Sequence, residues 1–298
     1  MYCMLQLGYY FFRTVLSGLN EPIGISIDLT NKCNLRCKHC YFWEQSHPRE
    51  LSDNNLIKKL REIKKKHPSI IHATWVGGEP LLRKDILRKA MRMFPFNMIV
   101  TNGSLPLPKW RNCVFNVSVD GTKKSYELIR GKNTYDRMKK NANRSDVKVN
   151  LACTLNTKNF ECIDELLAEW SKTKVRGIHF SFYTPIRGIK DKIELSDDQR
   201  ANIVRQLRKL KKRYGSFILN SNYMLKLMHP KNASKVTSNC PVVAGIYCID
   251  PMGKRKLPCV IGPKADCSQC GCVIPFNLEA AFVKKHLESM LVMWRGYT

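Results

Sequence analysis

Three thiols stand within eight residues at Cys33, Cys37 and Cys40, spaced C-x3-C-x2-C, and six more crowd the last third of the chain at Cys240, Cys248, Cys259, Cys267, Cys270 and Cys272. Thirteen cysteines in all, nine of them in two groups at metal-ligand spacing, favour iron-sulfur or zinc ligation over a disulfide framework, and a reducing compartment. Three thiolates on one short loop wrap one face of a cuboidal 4Fe-4S cluster. Four irons need four ligands, so one iron is left open to a chelating ligand. Zinc, which closes a tetrahedron with four donors, is the alternative metal for such a loop. Cys248 reads as a core residue, and Cys3, Cys113, Cys153 and Cys162 fall in or near predicted elements as small buried hydrophobes.

The elements that must position these thiols follow from the hydrophobic pattern. From Ile23 onward, short β-branched or aromatic runs alternate with longer amphipathic stretches, the signature of repeated strand-helix units on a parallel sheet. Strands are predicted at Ile23 to Leu29, Ile70 to Val76, Asn97 to Thr101, Cys113 to Val119, Val147 to Thr154 and Gly177 to Tyr183. Helices are predicted at Asn54 to Lys66, Asp85 to Met93, Thr134 to Asn141, Cys162 to Lys172 and Asp197 to Lys212. The first repeats Leu56, Ile57, Leu60 and Ile63 at helical spacing behind a cap at Ser52. The fold class expected is α/β, a partial (β/α)6 TIM-like barrel over residues 23–214 with function at the carboxyl ends of the strands. After about Tyr214 the helices thin out, so residues 215–298 read as a small Cys-rich domain closed by a helix from Leu278 to Trp294.

The chain has 298 residues, 44% of them hydrophobic and 25% charged, enough for a full core and unlike a disordered composition. Its 51 Lys and Arg against 24 Asp and Glu give a formal charge of +27, which suits a polyanionic partner: nucleic acid, an anionic membrane surface or a phosphorylated substrate. No signal peptide opens the sequence. The apolar stretch Tyr2 to Leu19 is interrupted by Gln6, Arg13, Ser17 and Gly18 and falls short of the roughly 20 residues of a membrane span. Residues 1–22 therefore read either as an interfacial helix or as one packed on the domain. The localisation expected is cytoplasmic, with the inner face of a membrane as a peripheral site.

The segment Cys33-Asn34-Leu35-Arg36-Cys37-Lys38-His39-Cys40 resembles the signature of the radical S-adenosylmethionine (radical SAM) superfamily, and further motifs follow in that family's order. Gly77-Gly78-Glu79-Pro80 resembles its GGEP motif, implying that backbone and Glu79 hold the cofactor's amino group. Glycines allow that close approach, and a carboxylate accepts from an ammonium. Thr101-Asn102-Gly103 and Ser118-Val119-Asp120-Gly121 resemble pieces that contact the methionine and ribose ends, which assigns Thr101, Asn102, Ser118 and Asp120 to the cofactor. Arg130, in Leu128-Ile129-Arg130-Gly131, resembles the family's partner of the methionine carboxylate, a pairing that the guanidinium fork makes specific. His39 occupies the slot of an aromatic residue near the adenine. Asn156 is read both as a contact to the cofactor and as a turn cap. The resemblance implies that the cluster, fed by a low-potential donor such as ferredoxin or flavodoxin, cleaves S-adenosylmethionine to methionine and a deoxyadenosyl radical.

The second thiol group, arranged around Ile249-Asp250-Pro251-Met252-Gly253, is similar to the SPASM and twitch extensions of that superfamily. This implies one auxiliary 4Fe-4S cluster on Cys259, Cys267, Cys270 and Cys272, with Cys240 a close substitute and zinc the alternative. Two clusters would need about eight ligands. A looser likeness to adenosyl-hopene-forming enzymes, with the basic charge and apolar N-terminus, leads to a lipid or membrane-associated substrate as the first expectation. A ribosomally made peptide or protein side chain is the second, tRNA or a nucleotide the third. A non-catalytic metal-binding scaffold is the alternative from outside the enzymes.

Overall fold

The computed structural model describes residue 9 and residues 12–16, 18–46, 49–189 and 193–297. Seven strands form one sheet: β1 (Gly24–Asp28), β2 (His72–Val76), β3 (Phe96–Thr101), β4 (Val114–Ser118), β5 (Val149–Leu155), β6 (Ile178–Phe182) and β7 (Ile246–Ile249). Their order is β6-β5-β4-β3-β2-β1-β7, and every pairing is parallel. A parallel sheet needs cover on both faces, which is why β1 is buried at all five positions and why Trp75, Ile99, Phe115, Leu151 and Phe180 are fully withdrawn from water. The result is the curled, open α/β barrel that the alternating pattern predicted, with each expected strand found within a few residues of its predicted bounds.

The helices lie where amphipathic repeats and caps put them. The helix Asp53–Lys66 starts at Ser52, whose hydroxyl accepts from the Asn55 amide, and buries Leu56, Leu60 and Ile63. Each such side chain contributes about 1.5–3 kcal/mol of apolar burial. Helix Asp197–Tyr214 opens on a capping box between Ser196 and Gln199 and buries Ile203, Val204, Leu207 and Leu210. The helix Lys123–Arg130 falls between the predicted elements, and it carries Arg130 at its last position before Gly131, whose φ of 114° ends it.

The last third of the chain departs most from expectation. Helices Asn222–Met228 and Pro230–Thr237 follow Tyr214, where thinning was expected, and their Met224, Leu225, Leu227, Met228 and Val236 join the main core. Strand β7 comes from this region and adds to the β1 edge of the barrel sheet, a seventh strand where six were predicted. The expected closing helix is interrupted: Val273–Leu278 runs into a π-helical turn at Glu279–Val283, and a separate helix, Leu287–Tyr297, follows. Lys285 at φ 51° marks the break. Half of residues 1–22, over which a helix was expected, lie outside the described residues; of the others, 9 and 12–16 are helical. There Val15 and Leu19 pack with Val242, Leu278, Phe282 and Met293. Among the described residues no helix is long and apolar enough to cross a membrane.

Both sheet edges are occupied, which removes the template a free edge offers. On β6 the Asn220 side chain acts as a strand surrogate, accepting from the Phe180 amide and donating to the Phe180 carbonyl, both at 2.8 Å. On β7 the amide of Lys256 donates to the Cys248 carbonyl at 2.8 Å.

The side chain of the same Lys256 reaches across to the end of β1 and pairs with Asp28, with both groups buried and Gln45 accepting a further bond at 2.9 Å. Burial pushes the Asp28 carboxyl above its ordinary value even with Lys256 beside it. Removing one partner should therefore leave a costly lone charge. Lys256→Met is expected to destabilise the protein by about 3–5 kcal/mol, and Lys256→Met with Asp28→Asn by clearly less. Denaturant titration of the two single variants and the double variant checks this.

Candidate active site

The carboxyl ends of β1 to β6 converge on a cavity of about 280 Å³, and the loop after β1 forms one wall of it with Cys33, Cys37, His39 and Cys40. Backbone contacts pin that loop. The Gly78 amide donates to Thr30 O at 2.7 Å and the Glu79 amide to Lys32 O at 2.8 Å, while the Lys38 amide donates to Ile129 O at 2.9 Å. A Cβ on Gly78 would stand 2.0 Å from Lys32 O, and one on Gly77 2.7 Å from Thr30 O. These two positions are glycine because two backbones touch there. Glu50 secures the loop's start, accepting from Thr30 Oγ1 and the Asn31 amide, and Arg83 ties Glu50 in turn.

Gly77, Gly78, Thr101, Asn102, Ser118 and Arg130, which the motif reading assigned to the cofactor, line the cavity. Asn102 also steadies the thiol loop, donating to Asn34 Oδ1 at 3.0 Å and, at 3.9 Å, to Cys33 Sγ. Asn34 donates to Ser104 Oγ at 2.7 Å. Neither Asn34 nor Ser104 was singled out from the sequence, because only the fold brings them opposite each other.

Four further residues that the motifs assigned to the cofactor make close contacts with the protein itself. Glu79 is buried and absent from the cavity wall: its carboxylate accepts from Thr101 Oγ1 at 2.8 Å, the Asn102 amide at 2.8 Å and the Leu81 amide at 3.1 Å. Burial still raises its pKa against those three bonds. Asp120 is also fully buried and off the wall, accepting from Arg130 Nε at 2.6 Å, His39 Nε2 at 2.7 Å and the Thr154 amide at 2.9 Å. Burial pushes its carboxyl up, but Arg130 and His39 outweigh it and hold the group well below the usual carboxylate range. His39 is thus fixed edge-on by a carboxylate rather than free to stack, and its Nδ1 is buried without a protein partner. Asn156 closes the turn after β5, accepting from the Lys158 amide through Oδ1 and donating to Thr154 O, so the turn reading is the one its contacts fit.

The cavity is also lined by residues the motifs did not flag: Tyr41 beside Cys40 and, from β5, β6 and the Cys-rich tail, Thr154, Ser181, Tyr183, Thr184, Val260 and Ile261. Their signal was positional, since Thr154 and Ser181 lie toward the carboxyl ends of predicted strands. Cys272 lines the cavity too. The Gly271 amide beside it donates to Thr184 Oγ1 at 2.9 Å, and the Phe182 amide donates to Gly271 O at 2.9 Å. A Cβ on Gly271 would stand 2.3 Å from Phe182 O, so the Cys-rich tail is stitched directly to β6.

Behind Cys272, burial pushes Cys240 and Cys270 up to about 11, and the neighbouring thiols add to it: Cys259 and Cys267 at Cys240, Cys240 and Cys259 at Cys270. Cys240, Cys259, Cys267, Cys270 and Cys272 thus lie near enough to feel one another's charge. Cys248 is buried in β7, as expected of a core residue. In the first group, burial pushes Cys40 up to about 11, with Cys37 and Cys33 adding to it.

Among the described residues no three His, Cys, Asp or Glu side chains converge closely enough for a single ion. The donor chemistry fits a larger group: three thiols with no carboxylate on a cavity wall, beside an unsatisfied His39 nitrogen. A cuboidal iron-sulfur cluster spreads its cysteine ligands more widely than one tetrahedral ion does.

Residues 27–169, from β1 through the helix behind β5, match the Radical SAM superfamily. Over those residues, just under half of the chain, the match is to a superfamily whose members use a 4Fe-4S cluster and S-adenosylmethionine. It is 29% identical over 170 residues to pre-heme d1 synthase of Dinoroseobacter shibae, covering 51% of this chain and 41% of that protein. It is 25% identical over 168 residues to the sporulation killing factor maturation protein SkfB of Bacillus subtilis, covering 50% and 39%. The chain thus matches about two fifths of the length of these relatives. Streptococcus suis SuiB, solved with its precursor peptide SuiA, shares the fold at a TM-score of 0.66 and 16% identity, over 93% of this chain and 69% of that one. That likeness extends through the Cys-rich last third.

Gly78→Ala tests the backbone contact that seats the thiol loop. It is expected to cost about 1–3 kcal/mol by overpacking and to lower the iron taken up by the three-thiol loop. Thermal unfolding and iron analysis of a variant lacking the five distal thiols read the two effects separately.

Proposed function

We propose that the chain binds a 4Fe-4S cluster on Cys33, Cys37 and Cys40 and uses it to cleave S-adenosylmethionine reductively, in order to modify a peptide or protein side chain. The observation that carries this reading is the three-thiol loop opening on a cavity that the Cys-rich tail also lines. Held by Cys33, Cys37 and Cys40, the cluster would supply the electron for reductive cleavage of the cofactor's sulfonium to methionine and a deoxyadenosyl radical. The chain's own residues bind, orient and exclude. Gly77, Gly78 and Thr101 shape the cofactor's bed, Arg130 offers its remaining N–H groups to a carboxylate, and Ser118 and Thr154 offer hydroxyls to a ribose. Tyr41, Tyr183, Val260 and Ile261 keep water from the reacting space. Cys240, Cys259, Cys267, Cys270 and Cys272 supply the ligands of one auxiliary cluster, with one thiol more than four sites require.

A peptide substrate takes precedence over the lipid first expected from the sequence. Relatives in sequence and fold include a maturation protein and an enzyme solved on its precursor peptide, and nothing in the comparisons speaks for a lipid or a membrane surface. Of the apolar residues that had suggested membrane contact, Leu19 packs against the molecule's own helices, while Tyr9, Phe12 and Leu16 are exposed.

Anaerobic reconstitution, dithionite and S-adenosylmethionine should yield deoxyadenosine, and Cys33→Ala, Cys37→Ala or Cys40→Ala should each reduce that yield at least a hundredfold. Synthetic peptides for the short reading frames beside the gene should raise deoxyadenosine formation. Stimulation by phosphatidylglycerol vesicles or tRNA alone would refute the peptide reading.

A further inference from the structure

The contacts of Arg130 suit a second task besides receiving a cofactor carboxylate. Its NH1 donates to Cys37 Sγ at 3.7 Å, while its Nε is locked onto Asp120 at 2.6 Å. The guanidinium is nine-tenths buried, the carboxylate fully so, and His39 Nε2 braces the same Asp120 oxygen at 2.7 Å. The other carboxylate oxygen is held by the Thr154 amide of β5. Tyr126 lies 5.9 Å from the guanidinium carbon and closes one side of it. Thus a buried cation is held against one thiol of the first group by a carboxylate that has no opening to the cavity. A residue needed only to meet an incoming carboxylate would have no reason to spend an N–H on a thiol sulfur.

We propose that Arg130, positioned by Asp120, sets the reduction potential of the cluster held by Cys33, Cys37 and Cys40. This rests on the cluster assignment above. Hydrogen bonds to the sulfurs and nearby charge are among the main determinants of iron-sulfur potentials. Reduction adds negative charge to the cluster and its thiolates. An N–H aimed at Cys37 Sγ and a positive charge beside it both stabilise the reduced form more than the oxidised form, so they raise the potential. Asp120 offsets part of the charge but fixes the direction of the donor. A guanidinium has five N–H groups, and the two used here leave three for a ligand in the cavity, so tuning and carboxylate binding are compatible. Arg130 is in this respect a tuning residue, and Asp120 positions it.

The test is a redox titration of the anaerobically reconstituted protein, followed by electron paramagnetic resonance without S-adenosylmethionine, in a background where the five distal thiols are replaced by Ala. Arg130→Met should shift the midpoint to more negative values by about a tenfold loss in the reduction equilibrium, or about 59 mV for one electron. Arg130→Met with Asp120→Asn restores the net charge of the buried pair and relieves the lone carboxylate, so it folds if the single variant does not. Its midpoint should lie between the single variant's and that of the parent, the residual shift being the lost N–H to sulfur bond. A midpoint equal to the parent's in the double variant, with only S-adenosylmethionine affinity reduced, would overturn the proposal and leave Arg130 as a carboxylate clamp. If the parent itself assembles no cluster, it is the proposed function that fails.

Discussion

Two backbones meet where the loop after β1 runs beneath Gly77 and Gly78, and the placement of the first three thiols depends on that contact. There is no room for a single carbon between Gly78 and Lys32 O. The strand behind the glycines is β2, hydrogen-bonded to β1 in parallel, so the loop that leaves β1 and the turn that leaves β2 necessarily emerge side by side on one rim. Parallel pairing puts the ends of the other strands on the same rim. Polar groups from β3, β4 and β5 then face the thiols without any long loop to order, and the entropic cost of assembling the site is met by folding the sheet.

The same rim explains how the Cys-rich tail belongs to the site. Strand β7 extends the sheet beyond β1, and the chain then returns across the barrel mouth to Gly271, whose backbone replaces a neighbouring strand at the end of β6. Residues 215–298 thus touch both edges of the sheet. Buried Lys256 ties the β7 hairpin to Asp28 at the end of β1, two residues ahead of the loop that carries Cys33. The two thiol groups are held by one framework, and Cys272 shares a cavity with Cys33, Cys37 and Cys40.

Much of this was legible in the sequence because the deciding signals were local. Short β-branched or aromatic runs marked β1 to β6, helical spacing of apolar residues behind Ser52 marked the first long helix, and the thiol spacing with paired glycines pointed to the candidate site. What was not legible depends on tertiary partners. Strand β7 is only four residues long, Ile246–Ile249, and has no flanking alternation to set it apart from a turn arm. The helix Lys123–Arg130 buries only Tyr126 and Ile129, too few for a recognisable stripe. Glu79 and Asp120 were expected to face a ligand because carboxylates in such motifs usually offer acceptors. In the fold both are surrounded by backbone amides and side-chain donors that the sequence could not show converging. His39 was taken for an aromatic stand-in; it does line the cavity, and its hydrogen bond to Asp120 is the part that the sequence could not show.

The central claim is a cluster with three protein ligands and one open iron. Mössbauer spectra of protein reconstituted with isotope-enriched iron, with the five distal thiols removed, test it directly. On adding S-adenosylmethionine, one iron of the four should change its parameters while three keep theirs. Four irons unmoved by the cofactor, or a loop that takes up zinc and no iron, would contradict the account.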